Sequence, residues 1–115
     1  MYRFPFERIV YIQAITGENW CRVFLAEPLQ DHINPMDVPL LLNQIFSEIK
    51  RQIDGKRYAF FRCGKSALIN PKYLRMIDVS SQTIILSDGF HHHEVHVSRE
   101  TCKELKARME EAFTA

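Results

Sequence analysis

The stretch of sequence that decides the fold spans residues 61–75 and reads FRCGKSALINPKYLR. Aromatic and apolar residues predict a strand from Tyr58 to Cys63, and Gly64-Lys65 interrupts it, as glycine does within strands. The apolar run from Ser66 to Ile69 continues as a second strand, after which Asn70-Pro71 turns the chain into a short helical turn. This stretch therefore predicts two short strands joined by a small basic loop.

Basic residues are concentrated around this loop. Lys50 to Arg75 contains eight Lys or Arg and a single acid, Asp54, whereas acids outnumber bases both before and after this span. The formal net charge of the whole chain is only +1, so the total conceals a positive band. Such a band is typical of a surface that contacts phosphates, and the alternative is a solvated basic face that has no partner.

The composition is that of a folded globular protein. A chain of 115 residues with 46% hydrophobic and 25% charged residues fits one domain over residues 1–115 and does not fit a disordered tail. No apolar run approaches the ~20 residues that span a bilayer, and the N-terminus lacks the apolar core of a secretory signal peptide. Three cysteines without a CxxC pair are typical of a reducing compartment. We therefore expect a cytoplasmic protein with no membrane span.

The first third of the chain predicts a hairpin followed by a loop. Residues 7–15 and 20–26 have the composition of strands, and Thr16-Gly17-Glu18-Asn19 between them has the composition of a turn. Residues 27–39 contain three prolines and predict a loop. Whether this loop includes a short irregular strand is left open by the sequence.

Two helices and a second hairpin complete the predicted fold. Asp37 is expected to cap a helix that runs to about Ile53, because large apolar residues recur there at spacings of three and four. Asp88-Gly89 lies between two strand patterns and predicts a hairpin with a two-residue type I′ turn. Ser98 is expected to cap the last helix, which runs to about Ala112. Hairpins pair antiparallel strands, so the predicted fold class is mainly β with two helices and small antiparallel sheets.

The residues bear on three other chemistries: nucleotide binding, metal binding and catalysis. Residues 59–66 fit a loose phosphate-loop pattern, but its internal residues are bulky and Asn70-Pro71 prevents the long helix that must follow Lys-Ser. His92, Glu94 and His96 would share one strand face, which allows either a metal site or an ordinary solvent-exposed face. No nucleophile has a recognisable base, so we expect neither enzymatic activity nor a cofactor.

Four segments carry a family resemblance. They are the opening hairpin with its turn at 17–20, the helix at 41–53, the central segment at 61–74, and the closing LSDG and VSR elements at 86–89 and 97–99. In this order and at this spacing they resemble the LytTR DNA-binding domain of bacterial transcriptional regulators over nearly the whole chain. The central segment is similar to the family core F-x-R-x-H-R-S, with Gly64-Lys65 in place of His-Arg.

The resemblance implies a LytTR-type fold that reads successive major grooves of double-stranded DNA with loops. It also implies that two copies act together on direct repeats in promoter DNA, which would make a homodimer on the DNA. The implied base contacts come from the first turn, the central loop and the start of the last helix. They are Thr16, Glu18, Asn19, Lys65 and Arg99.

The chemistry of these side chains suits base reading. Asparagine can bond adenine through two hydrogen bonds, and lysine or arginine can bond the O6 and N7 atoms of guanine. Glu18 would repel phosphate or select a cytosine amine. Other basic residues are expected to contact backbone phosphates without regard to sequence. They are Arg62 and Lys72, together with Lys56, Arg57 and Arg75.

The leading hypothesis is sequence-specific binding of double-stranded DNA by a bacterial transcriptional regulator. The alternative is a protein-interaction module that keeps the LytTR architecture, does not bind DNA, and modulates a related regulator or a membrane partner. The replacement of His-Arg by Gly64-Lys65 and the low net charge motivate this alternative. A metal-dependent enzyme that uses the histidines is a third hypothesis.

Overall fold

A computed structural model describes residues 6–26, 35–52 and 60–114 of the chain. The chain divides into two compact units, Met1–Lys72 and Tyr73–Ala115. Each unit contains one antiparallel sheet and one α-helix in its described part.

The first unit contains a five-stranded sheet with the order β3-β2-β1-β5-β4. Its elements, in chain order, are a 3-10 turn (Phe6–Arg8), β1 (Ile9–Ala14), β2 (Cys21–Leu25), β3 (Met36–Val38), α1 (Leu42–Gln52), β4 (Phe61–Cys63) and β5 (Ala67–Ile69). A second 3-10 turn, Pro71–Tyr73, follows β5. All neighbouring strands are antiparallel. β1 is the central strand, and it pairs with its hairpin neighbour β2 on one side and with the distant strand β5 on the other.

The core of the first unit lies between this sheet and α1. Ile12 from β1, Leu68 from β5 and Ile45 and Ile49 from α1 are fully buried in one cluster. Full burial of each such side chain is worth ~1.5–3 kcal/mol. The apolar spacing that predicted α1 therefore also fixes which face of the helix packs on the sheet.

The second unit contains a three-stranded sheet with the order β6-β7-β8 and a C-terminal helix. Its elements are β6 (Leu74–Asp78), β7 (Thr83–Ser87), β8 (His92–His96) and α2 (Arg99–Thr114). The α2 side chains Cys102 and Leu105 are fully buried. The Cys102 thiol donates to the Asp78 carbonyl of β6 at 3.9 Å, which joins helix and sheet. The predicted fold class, mainly β with two helices and antiparallel sheets, is confirmed for the described residues.

The predicted cap of the first helix is wrong. Asp37 lies in β3, where its Oδ1 accepts a hydrogen bond from Arg22 Nε of β2 at 3.0 Å. The helix begins later, and the Gln44 side chain accepts a hydrogen bond from the Leu41 amide at 2.8 Å. This contact, from the third residue of the helix back to the amide just before it, is half of a capping box. The predicted helix end near Ile53 lies outside the described residues.

The predicted two-residue turn at Asp88-Gly89 is also wrong, although the hairpin itself is confirmed. Ser87 pairs with His92, so residues 88–91 form a four-residue loop. Gly89 has a φ of 96°, whereas a type I′ turn would need positive φ at Asp88 as well. Instead, Asp88 Oδ1 accepts hydrogen bonds from the Phe90 and His91 amides at 2.8 and 2.7 Å. The Asp88 carboxylate thus stabilises a four-residue loop in place of the two-residue turn that Asp88-Gly89 predicted.

Candidate nucleic-acid interface

Two turns lie side by side at one end of the five-stranded sheet. β1 ends at Ala14, which pairs with Cys21 at the start of β2 and donates its amide to the Ser66 carbonyl at 2.8 Å. Neighbouring strands are ~5 Å apart, so the β1–β2 turn and the β4–β5 turn are adjacent. We call residues 16–19 and 64–66 together the turn edge.

The first turn presents its side chains to solvent. The Glu18 amide donates to the Ile15 carbonyl at 3.1 Å, and the Ile15 amide donates to the Trp20 carbonyl at 3.4 Å. These bonds close the turn, and Thr16, Glu18 and Asn19 are all exposed. All three predicted contact residues of this turn are therefore accessible at the turn edge.

The second turn presents Lys65 at its exposed apex. Gly64 has a φ of 59° and open space around the position of a Cβ, so its backbone conformation, rather than crowding, favours glycine. The Ser66 amide and hydroxyl both donate to the Cys63 carbonyl, at 3.3 and 3.0 Å. Lys65 is exposed, and its turn is adjacent to the turn that contains Asn19.

Lys72 lies at the opposite end of the same sheet. Its Nζ is 3.4 Å from the Glu7 carbonyl, and its amide donates to Asn70 Oδ1 at 3.1 Å. Glu7 precedes the start of β1, whereas Lys65 lies beside the other end of β1. The six residues of β1 span roughly 20 Å at ~3.3 Å each. The structure therefore does not bring Lys72 together with the turn edge.

Arg99 belongs to the second unit, where it is the first residue of α2 and is exposed. The preceding residue, Ser98, accepts a hydrogen bond from the Thr101 amide to its Oγ at 3.1 Å. The predicted cap is therefore confirmed. It satisfies one of the free amides at the helix start, in the same turn of the helix as Arg99.

Comparisons with known proteins agree with this architecture. The family model described as the LytTr DNA-binding domain matches residues 39–110, which is more than half of the chain. The chain belongs to the LytTr DNA-binding domain family. The predicted family is thereby confirmed. The opening hairpin, β1 and β2, precedes the matched segment, whereas both α1 and most of α2 fall within it.

The fold is also that of a solved LytTr domain. A LytTr DNA-binding domain from Bacillus cereus aligns with a TM-score of 0.55 and 18% sequence identity, covering 90% of this chain and 83% of that one. At this identity the likeness concerns the fold alone. The search of curated proteins found no match.

Arg62 has a local role in this LytTr domain that the sequence did not indicate. Its Nε donates to the Gly64 carbonyl at 2.8 Å, and its guanidinium carbon lies 5.5 Å from the centre of the Phe46 ring in α1. Lys50 Nζ lies 5.1 Å from the centre of the same ring. The spacing of Phe46 and Lys50, four residues apart on a helix, is a signal for that second contact. Lys56 and Arg57 lie outside the described residues.

Among the described residues, the histidines of the LytTr domain lie along β8 and the loop before it. His92, Glu94 and His96 are exposed, as expected for the solvent face of the hairpin. His91 Nδ1 is 3.8 Å from Asp88 Oδ2, and burial lowers the pKa of His93 from its usual value. Within residues 6–26, 35–52 and 60–114, no group of three or more His, Cys, Asp or Glu side chains is arranged to hold a metal ion.

Proposed function

We propose that this chain binds double-stranded DNA in a sequence-specific manner as part of a bacterial transcriptional regulator. Membership of a DNA-binding domain family gives the general activity. The observation that supports the finer proposal is the turn edge, where β1 pairs with both β2 and β5 and so brings two exposed turns together. The proposal assigns no catalytic step and no cofactor to the chain.

The size and chemistry of the turn edge suit the major groove. This groove is ~12 Å wide. The two turns cap four neighbouring strands, so their middles are ~10 Å apart, and side chains from both can reach one stretch of the groove. Asn19 can bond adenine and Lys65 can bond guanine. Glu18 carries an acid in the same turn as Asn19, so it disfavours close phosphates and can accept a hydrogen bond from the cytosine amine. We propose Thr16 as a further polar contact of this turn.

Arg99 is proposed as a contact from the second unit. It is the first residue of α2, where backbone amides face outward and can bind phosphate, and its guanidinium has the fork geometry that suits guanine or phosphate. We propose that the chain as a whole, residues 1–115, acts as one DNA-binding domain and that two copies occupy direct repeats. Lys72, at the far end of the sheet, is proposed to contact phosphate only.

A transcriptional role would place the protein in the bacterial cytoplasm with the DNA, and we propose that location. In the described residues, none of the helices is long and apolar enough to cross a membrane.

The proposal is tested by selecting bound sequences from a random duplex pool with the full chain. Fluorescence anisotropy then compares the selected duplex with a scrambled one. Lys65→Ala should weaken binding of the selected duplex by about 1–3 kcal/mol, as for a single base contact. Lys106→Ala, which removes the same charge from an exposed position on α2, is the matched control and should have little effect. Failure of the pool to enrich any sequence, or an unchanged affinity of Lys65→Ala, would contradict the proposal.

A protein-interaction module is the second candidate function, and the exposure of Phe90 favours it. This ring is 71% exposed, in the loop that the Asp88 carboxylate organises. Exposed aromatic rings, phenylalanine included, are enriched in protein interfaces. If the chain binds no duplex, and a purified regulator binds wild type and Lys65→Ala but not Phe90→Ser, this second function replaces the first.

A further inference from the structure

Arg62 connects three parts of the first unit. Its backbone belongs to β4, its Nε donates to the carbonyl of Gly64 two residues later, and its guanidinium lies over the Phe46 ring of α1. The side chain is only half-buried, but its contacts are directed into the protein. They run between the helix and the turn that carries Lys65.

We propose that Arg62 is a positioning residue, which holds the β4–β5 turn in the conformation that presents Lys65 to DNA. The proposal rests on the proposed function of Lys65. It assigns to Arg62 a role other than the phosphate contact expected from the sequence.

The physical reason lies in Gly64. Glycine populates positive and negative φ about equally, so the turn sequence alone leaves the 64–65 peptide free to reorient. The Arg62 hydrogen bond fixes the carbonyl of that same peptide at 2.8 Å. A fixed peptide plane sets the direction in which the Lys65 side chain leaves the turn. Contact with Phe46 in turn holds the guanidinium, within the ~6 Å range of a cation–π interaction.

The same geometry explains why the residue is an arginine. The guanidinium is planar, so its Nε–H can point within the guanidinium plane toward Gly64 while its flat face covers the Phe46 ring. A lysine would keep the positive charge but has no such planar donor. Arg62→Lys therefore separates the positioning role, which it removes, from a phosphate contact, which it retains. Lys50→Ala is the matched control, because Lys50 contacts the same ring from α1.

The first test is a double-mutant cycle with Arg62→Lys and Lys65→Ala, measured on the selected duplex. Positioning predicts that Arg62→Lys alone weakens specific binding about tenfold, and that adding Lys65→Ala then costs less than about twofold. It also predicts an unchanged dependence of affinity on salt, since the charge is kept. Independent, multiplying effects of the two substitutions, or wild-type binding by Arg62→Lys, would overturn the proposal.

The second test needs no DNA, so it separates this inference from the proposed function. Backbone ¹⁵N relaxation of the free protein should show that residues 64–66 become more mobile in Arg62→Lys. In the same variant, residues 16–19 should be unchanged, and Lys50→Ala should leave both turns as in wild type. If residues 64–66 keep their order in Arg62→Lys, the positioning role is wrong, even if the wild type binds DNA. If they lose order while the wild type binds no duplex, the turn is held as described and only the DNA function fails.

Discussion

Replacing Asn70 with alanine tests how much the Asn70 side-chain hydrogen bonds between the end of β5 and the start of β1 stabilise the first unit. Asn70 is fully buried at the end of β5. Its Nδ2 donates to the Ile9 carbonyl at 2.9 Å, and its Oδ1 accepts the Lys72 amide at 3.1 Å. The Asn70 amide also donates to the Val10 carbonyl at 3.0 Å, a backbone bond that the substitution keeps. The expected loss therefore comes from the side chain alone.

The two side-chain bonds differ in cost because their partners differ in exposure. Ile9 is fully buried, so water cannot replace the lost donor, and an unsatisfied buried carbonyl costs about 1–3 kcal/mol. Lys72 is exposed, so its amide can bond to water, and the loss is an ordinary ~0.5–1.5 kcal/mol. Together, Asn70→Ala should lower the free energy of unfolding of the first unit by about 2–4 kcal/mol. That is a large share of the ~5–15 kcal/mol typical of a folded domain.

Urea denaturation followed by tryptophan fluorescence measures this change. The chain has a single tryptophan, Trp20, in the first unit, so its signal reports on that unit. With an m-value of ~1–3 kcal/mol/M, a loss of about 2–4 kcal/mol should lower the urea midpoint by roughly 0.7–4 M. The control Asn43→Ala, at an exposed position of α1, should stay within about 0.5 kcal/mol of wild type. A loss below about 1 kcal/mol in Asn70→Ala, or an equal loss in the control, would refute the reasoning.

Three further predictions concern other parts of the chain. Ser98→Ala should destabilise α2 by about 1 kcal/mol, because the Thr101 amide loses its cap; thermal denaturation should show this, with Ser98→Asp close to wild type. Burial lowers the pKa of His93, so the folded state favours the neutral ring. Its contribution to stability is present above the unfolded pKa of ~6.5 and is lost as the pH falls through the lower folded pKa. As the pH falls from neutral to mildly acidic, the free energy of unfolding of His93→Gln should therefore decrease less than that of wild type. Identical dependences of the unfolding free energy on pH would contradict this. Lys72→Ala should weaken selected and scrambled duplexes alike and reduce the slope of log affinity against log salt by about 1; loss confined to the selected duplex would refute a phosphate-only role.

Local features of the fold were accessible from the sequence because they depend on neighbouring residues. The break at Gly64-Lys65 and the cap at Ser98 each follow from the backbone preferences of one or two residues, and both are present. The apolar spacing of α1 likewise identified Ile45 and Ile49, which are fully buried. These features need no knowledge of the distant chain.

Long-range pairing was not accessible in the same way. The place of β1 between β2 and β5 depends on a strand more than fifty residues away, and no local pattern encodes it. The assignment of Asp37 to a helix cap failed because its carboxylate bonds Arg22 across the sheet. Similarly, the expectation of a tight turn at Asp88-Gly89 ignored the capacity of the Asp88 carboxylate to bond two following amides.

The candidate site shows the same division. The sequence and the family resemblance named Asn19 and Lys65, but only the strand order shows that their turns are adjacent. The bond from Arg62 to the Gly64 carbonyl depends on the tight turn and on the ring of Phe46. The charge of Arg62 predicted a phosphate contact and indicated neither the turn geometry nor the position of the Phe46 ring.

The central claim is that the two neighbouring turns of the first sheet enter the DNA. An NMR titration of ¹⁵N-labelled protein with the selected duplex tests it most directly. The claim predicts that, within the first unit, the largest and saturable shifts fall on residues 16–19 and 64–66, while the scrambled duplex shifts them weakly. Saturable shifts that spare both turns and fall on residues 88–91 or on the exposed face of β8 would contradict it.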